Sequence, residues 1–391
     1  AGTEYFVNFN VTTVEKEPLI PIGHEIACDQ FRLPIESPKK AFKTSGPKLT
    51  VSTNGDNLSA SSSKVNFMFN KKTGIVTSYK VDGTEYFSEG FGIQPNFWRA
   101  PTDNDYGNGM PKRLQVWKES SKNFNVTDAT VTMDGNNAVI NVNYLLPAGN
   151  LYIVNYTIYP SGAVNVTARF TSTDMDAAQT EVSESTRTAT FTPGRDAARK
   201  EASKLNVPRI GVRFRLPASM NQVEYFGRGP AENYLDRNAG SMVGLYKSTA
   251  EELYFPYVRP QENGHHTDTR WVSLSTGKNG LLIQADNTIG FNALRNSIED
   301  FDDEEATGLS RQWSNFTPEQ VANHDEAAAK NVLRRQHHIN DITPRDFVEV
   351  CVDLKQQGVA GYDSWGSRPE PAYTLPANRE YNWGFTLIPL K

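Results

Sequence analysis

Cysteine is nearly absent: Cys28 and Cys351 are the two in 391 residues, too few for a disulfide framework. Each stands in an apolar, strand-like run, which predicts buried free thiols. No apolar run approaches the ~20 residues a bilayer-spanning helix needs, and no charged segment followed by an apolar core opens the chain. Basic charge is also short. Lys and Arg number 40 against 45 Asp and Glu, for a net charge of −5 and a pI near 5.8, which argues against the basic face a nucleic acid requires. Histidine is scarce at 6 residues. His265-His266, with Asp268 close by, and His337-His338 are adjacent pairs, which point to opposite faces of a strand and so share no metal. No His-x-x-x-His spacing or cysteine cluster is present. Gly227-x-Gly229 lacks the third glycine and the following helix of a dinucleotide site. The acidic run from Glu299 to Glu305 lacks the spaced ligands of a calcium loop and reads as a solvated loop. There is no internal repeat.

What is present is globular: 38% hydrophobic and 22% charged residues, in a chain long for one ordinary domain. Tyr5 to Asn10 alternates apolar with polar, His24 to Leu33 reads as a second strand, and Pro34 to Pro47 has a linker's composition. The expected division is therefore 1–40 and 41–391, with a leading piece too short to bury a core. Short strand patterns follow at Val65–Asn70, Gly74–Val81, Thr84–Phe87, Val126–Met133, Ala138–Leu145, Leu151–Tyr159 and Ala163–Phe170, with hairpin signals such as Asp82-Gly83 and Asp134-Gly135 between them. After a polar stretch, Asp174 to Lys204, the pattern returns at Arg209–Leu216, Trp271–Leu274, Gly280–Ala285, Phe347–Leu354 and Tyr381–Pro389. The sum predicts an all-β, large antiparallel sandwich. Two helical pieces are expected, one turn at Thr249–Leu253 capped by Thr249 and a longer one opening at Thr317-Pro318.

Three stretches carry concentrated polar chemistry. Phe97-Trp98-Arg99-Ala100-Pro101-Thr102-Asp103-Asn104-Asp105-Tyr106-Gly107 reads as a strand end opening into a carboxylate-rich loop, because Asp, Asn, Pro and Gly each favour turns. Tyr225-Phe226-Gly227-Arg228-Gly229-Pro230-Ala231-Glu232-Asn233-Tyr234 and Pro256-Tyr257-Val258-Arg259-Pro260-Gln261-Glu262-Asn263-Gly264 have the same character. In this order they resemble the C-terminal domain of LacZ-type β-galactosidases of glycoside hydrolase family two. Gly361-Tyr362-Asp363-Ser364-Trp365-Gly366 resembles that family's late Gly-x-Asp-Ser-Trp segment, and Pro18 to Ala27 resembles the end of its preceding domain.

The resemblance implies a supersandwich similar to aldose epimerases (galactose mutarotase-like), preceded by the last strands of an immunoglobulin-like domain. It implies hydrolysis of terminal β-D-galactosides by a parent enzyme whose two catalytic glutamates lie on a (β/α)₈ barrel absent from this sequence, so this chain has no catalytic residue and alone is inactive. Magnesium and sodium ions belong to that barrel, and the chain itself needs no cofactor or metal. The implied partners are a galactoside, the barrel domain and further copies in a homo-oligomer, with no nucleic acid or membrane span. The residues do not choose between cytoplasm and periplasm. Asp103, Asn104, Asp105, Gly107, Asn108 and Gly109, continuing to Met110, are carried over as a loop at the edge of the active site, where glycine eases movement. Trp98, Arg99, Arg228, Glu232, Asn233, Arg259, Glu262, Asn263, His266, Asp363 and Trp365 are motif positions. Glu232 and Glu262 are expected to accept hydrogen bonds from backbone or from arginines such as Arg228 and Arg259. Trp98 and Trp365 are expected in the core. A tryptophan that stacks on sugar in some relatives aligns with Glu349, a departure from the family; Trp271 and Trp313 remain as other indoles. Two competing readings are a free-standing galactoside-binding module and an aldose epimerase using His266 and Glu262.

Overall fold

The protein is described by a computed structural model covering residues 2–35, 41–171, 205–302, 338–363 and 366–391. The expected helix at Thr317, Trp313, Trp365 and the polar stretch from Asp174 to Lys204 lie outside the described residues. The strands are β1 (Phe6–Thr12), β2 (Glu25–Arg32), β3 (Thr50–Asn54), β4 (Asn57–Ser61), β5 (Val65–Asn70), β6 (Ile75–Val81), β7 (Thr84–Glu85), β8 (Gln94–Asn96), β9 (Asn125–Asp134) and β10 (Asn137–Leu145). They continue with β11 (Leu151–Ile158), β12 (Val164–Phe170), β13 (Arg209–Pro217), β14 (Gln222–Gly229), β15 (Met242–Thr249), β16 (His266–Ser275), β17 (Gly280–Leu294), β18 (Phe347–Gln356) and β19 (Tyr381–Leu390). Among the described residues the α-helices are short: α1 (Asp103–Gly107), α2 (Met110–Arg113), α3 (Gln115–Ser120) and α4 (Ile298–Phe301). Among the described residues no helix is long and apolar enough to cross a membrane.

The architecture is the expected all-β antiparallel sandwich, and its organising strand is β17. A sheet of 12 strands runs β15-β14-β16-β17 and forks there. The first half of β17, Gly280 to Ala285, pairs with β19 and leads through β12, β11 and β10 to β9. The second half, Gly290 to Leu294, pairs with β18 and leads to β13 and β8. The two branches face each other, and the Tyr152 hydroxyl on β11 donates to the Gly211 carbonyl on β13 at 3.3 Å. Between them Phe97 packs edge-on against Tyr152 at 5.1 Å and close to Phe170 and Trp117. A five-stranded meander, β3 to β7, covers the rest of the β9–β12 branch. Its alternate residues Val65, Phe67 and Phe69 are buried, as period two requires, and both phenyl rings meet Tyr156.

The β1–β2 hairpin stands apart as a sheet of 2 strands. It touches the main sheet through Gln30, whose amide donates to the Val243 carbonyl at 2.9 Å and accepts from the Val243 N–H at 2.8 Å on the edge of β15. Arg270 clamps Glu4 with two bonds of 2.9 and 2.8 Å. The hairpin leaves Phe9 at 55%, Val11 at 55%, Ile26 at 63% and Phe31 at 53% exposure. Cys28 lies on it and is only partly buried, unlike Cys351, because no second layer covers β2. Both thiols are free.

The Thr249 turn is present: Leu253 N–H donates to the Thr249 carbonyl at 3.0 Å, and Thr249 and Glu252 exchange side-chain-to-backbone bonds at both ends, a capping box. The expected loop at Asp103 is instead α1. Thr102 caps it and Asp105 at N3 returns a bond to the Thr102 N–H, so the polar residues close a helix N-terminus rather than an open turn. We expect Phe67→Ala to cost about 3–5 kcal/mol of stability in denaturant titration, since it opens a cavity where the two layers meet, and Asn66→Ala on the other face of β5 to change it by under about 0.5 kcal/mol.

Candidate functional site

Strands β13 and β18 carry apolar residues on one face and charge on the other, and both faces are buried. Ile210, Val212, Phe214, Val348, Val350 and Val352 fill the core. Arg209, Arg213, Glu349, Cys351 and Asp353 are buried too, on the opposite, polar face. Arg209 is the centre of that face and is fully buried. Its Nε lies 3.1 Å from Asp353; its Nη2 donates to Glu262 at 3.1 Å and to Asn292 at 2.7 Å. Glu262 also accepts from Asn292 at 3.0 Å and Gln356 at 2.8 Å. His265 Nδ1 sits 2.9 Å from Asn292 and 3.1 Å from Gln356, and its ring stacks on Tyr234. Two strand glycines make the room: a Cβ on Gly211 would overlap Asp353, and one on Gly290 would overlap His265.

One guanidinium therefore serves two carboxylates in a dry site. Burial pushes Asp353 up to about 7 against the pull of Arg209, with Glu262 adding to the rise. Burial, then Arg209, holds His265 well below its ordinary range, and burial holds His266 down to about 4. A second cluster joins Arg213 and Arg215 to Glu349 at 3.4 and 2.9 Å, with Glu299 at 2.9 Å from Arg213. Glu349 thus lies inside the protein as an arginine partner and presents no surface to a sugar. The acidic run is not a solvated loop where it is described: Asp300 pairs with Arg345, and Asp302 accepts from the Trp98 indole at 2.8 Å and pairs with Lys118 at 2.7 Å.

The polar face is roofed by the three motif stretches and the segment after β18, which come together around a cleft of about 600 Å³. Arg99 holds two of them together. It is fully buried, grips Asp105 with bonds of 3.1 and 3.0 Å, and donates to the Gln357 and Gly358 carbonyls at 2.7 and 3.1 Å. Asp105 is consequently interior, 1% exposed, rather than at an edge. Asp103 is exposed at the mouth, bonded to Gln261 through both backbone and side chain at 3.1 and 3.2 Å and 3.7 Å from Arg259. Arg259 lies over the Tyr106 ring at 3.7 Å. Asn104 lines the cleft and donates to the Val359 carbonyl at 3.3 Å.

The neighbouring positions spread outward. Gly107 ends α1 against Gly366, Asn108 accepts from Arg113 at 3.1 Å and donates to the Ser367 carbonyl at 3.4 Å, Gly109 adopts φ 72° before α2, and Met110 is buried. Asp363 accepts from the Ser367 N–H at 3.3 Å.

The motif carboxylates are bonded internally, though not by the arginines expected. Glu232 accepts from the Gly264 N–H at 2.6 Å and from the Tyr257 hydroxyl, and burial raises its pKa. Glu262 is held by Arg209, whereas Arg228 pairs with Asp268 at 2.6 Å and Arg259 with Asp103. Asn233 accepts from Thr267 and donates to the Arg228 and Ala231 carbonyls; Asn263 accepts from the Phe255 N–H. His265 and His266 do point to opposite sides, so His266 faces Tyr225 and Phe291. It is His265 that shares Glu262's partners, and the paired His266 and Glu262 of the epimerase reading do not converge. Arg209, Asn292, Asp353 and Gln356 were not singled out from sequence. Their signal is the matched charge at period two, Arg209-x-x-x-Arg213-x-Arg215 against Glu349-x-Cys351-x-Asp353.

A raised carboxyl stabilises the fold fully below its unfolded value of 3.8 and loses that contribution as pH climbs through about 7. We therefore expect the stability of the protein relative to Asp353→Asn to shrink steadily between those limits and level off above them, measured by urea titration across pH. The depressed His266 acts in the opposite sense, contributing above 6.5 and losing it as pH falls toward 4. Arg209→Ala, which strands two buried carboxylates, should cost about 3–5 kcal/mol.

Residues 61–387 match the family model described as beta galactosidase small chain. A beta-galactosidase of Priestia megaterium is 32% identical over 371 residues, which is 94% of this chain and 30% of that protein. A beta-galactosidase small subunit of Latilactobacillus sakei is 27% identical, over 82% of this chain and 92% of its own length. A galactose 1-epimerase structure from Lactobacillus acidophilus NCFM superposes at 7% identity over 88% of this chain and 98% of that one, with a TM-score of 0.41. The match over residues 61–387 covers the meander from β5 onward, nearly all of the forked sheet and the residues around the cleft, and it places the chain in the beta galactosidase small chain family.

Proposed function

We infer that this chain is the small-chain part of a β-galactosidase, a glycoside hydrolase acting on terminal β-D-galactosides, and that it frames the active site of a catalytic part rather than performing the chemistry. The observation that carries this reading is the small-subunit relative, which matches over 92% of its own length. The geometry supports it. Glycoside hydrolysis needs two carboxyls facing a sugar, and the motif carboxylates Asp105, Glu232 and Glu262 are each held by internal partners. The rim formed by Asp103, Asn104, Gln261 and Arg259 is what remains to meet a substrate or the catalytic part, with Gly107, Asn108 and Gly109 beside it.

The same reading divides the chain at about residue 40. The β1–β2 hairpin would complete an immunoglobulin-like sandwich: two strands alone are marginal in water, and apolar side chains exposed on both faces call for covering strands. Assembly with a catalytic barrel, which would hold any magnesium and sodium ions, and into a homo-oligomer belongs to this proposal.

The test is activity. The chain alone should release no galactose from nitrophenyl β-galactoside, and steady turnover by pure protein would overturn the reading. In the assembled β-galactosidase, Asp103→Ala should lower kcat/KM about tenfold through lost positioning with its thermal stability unchanged; full activity would remove Asp103 from the active-site edge.

A further inference from the structure

A second concave surface lies on the outer face of the main sheet, away from the cleft. The register of four adjacent strands sets Phe226 of β14 opposite Trp271 of β16, Trp271 opposite Gln284 of β17, and Gln284 opposite Thr386 of β19. Residues directly opposite one another share a face, so the four form one row across the sheet. Their sequence neighbours Tyr225, Val272, Ile283 and Phe385 are buried in the core, which turns Phe226, Trp271 and Gln284 outward, while Thr386 at the end of the row is itself buried. A trough of about 690 Å³ covers it on the Phe226–Trp271 side. It runs on past Gln284, Ala285 and Asp286 into a second hollow of about 360 Å³ flanked by Phe42 and Thr386.

We propose that this trough is a binding site for a neutral oligosaccharide, separate from the cleft. A pyranose ring has one apolar C–H face and a polar edge of hydroxyls. The half-buried Trp271 indole, which stacks on no ring among the described residues, and Phe226 offer the apolar platform. Gln284 offers a planar donor and acceptor and makes no side-chain hydrogen bond among the described residues. Arg270, held over Phe226 at 5.5 Å by its two bonds to Glu4, forms a fixed wall of donors. Few convergent polar groups on an apolar floor are what a small-molecule site needs. The strands under the row are paired on both sides, so no free edge invites a peptide by strand addition. The row crosses three strand gaps of ~4.8 Å each, and the second hollow lengthens it, which favours a chain of sugar rings over one.

Calorimetric titration of lactose, β-1,4-galactotetraose and cellotetraose into this chain tests the proposal. The expected result is saturable binding, at least tenfold tighter for a tetrasaccharide than for lactose, and weakened at least tenfold by Trp271→Ala and severalfold by Gln284→Ala. Galactose sugars are chosen on the strength of the family reading. Binding of cellotetraose alone would therefore still support the site while counting against galactosides as its ligands. Hydrolytic activity of the assembled enzyme on nitrophenyl β-galactoside is a separate readout that neither variant should change. Circular dichroism checks that Trp271→Ala folds, and Gln284→Ala carries the test if it does not. No saturable binding of any of the three sugars, or binding that both variants leave intact, would overturn the proposal.

Discussion

A guanidinium with no access to water, Arg209, is the constraint on which the functional half of the fold depends. A buried charge is tolerated only when it is paired and its hydrogen bonds are filled, and Arg209 needs partners from four places. Asp353 comes from β18, Asn292 from β17, Glu262 from the third motif stretch and the Trp98 carbonyl from the first. Pairing this one charge thus fixes two strands and two loops in one arrangement. Arg99 repeats the device, joining α1 to the chain after β18. Polar contacts of this kind add less to net stability than apolar packing does. Their consequence is specificity: a loop that moves leaves a charge without its partner.

This explains why chemically suggestive residues turn out to be occupied. Glu262 and Glu232 stand in polar motif stretches, and as expected both are bonded internally, one by an arginine and two amides and the other by a phenol and a backbone N–H. What the frame leaves at the cleft mouth is a narrow set, Asp103, Asn104 and Arg259, with the buried Gln261 holding Asp103 from behind. On the reading proposed above, this rigid base with a few oriented groups at its rim would shape the pocket of a catalytic part.

Strands β5, β6 and β9 to β12 were legible because each turns one face inward, so period two is plain in the sequence, whereas β3, which buries neither face, and β4 were not placed. Strands β13 and β18 were legible as strands, but the burial of both their faces was not. The charges of β13 and β18 alternate as regularly as surface residues do, and only their complementarity marks them as an internal face. β14 and β15 were passed over because Gly227, Gly229 and Pro230 read as a turn. In the strand, a Cβ at Gly227 would overlap Thr269, so that glycine serves close packing. The Asp103 loop proved helical because Thr102 and Asp105 are three apart, the spacing of a capping box, a signal hidden by the turn propensity of Asp-Asn-Asp. The motif stretches themselves were legible, and so was their concentration of polar groups; that they meet in one cleft depends on pairings more than 90 residues apart, such as Gln356 with Glu262.

Hydrogen exchange on Glu262→Gln, compared with the unaltered chain, addresses the central claim most directly. If Arg209 and its carboxylates hold the roof, the amides of residues 101–108, 256–264 and 357–361 will lose protection together while the β3–β7 meander keeps its own. Unchanged protection in those segments, or an even loss across the whole molecule, would contradict the account.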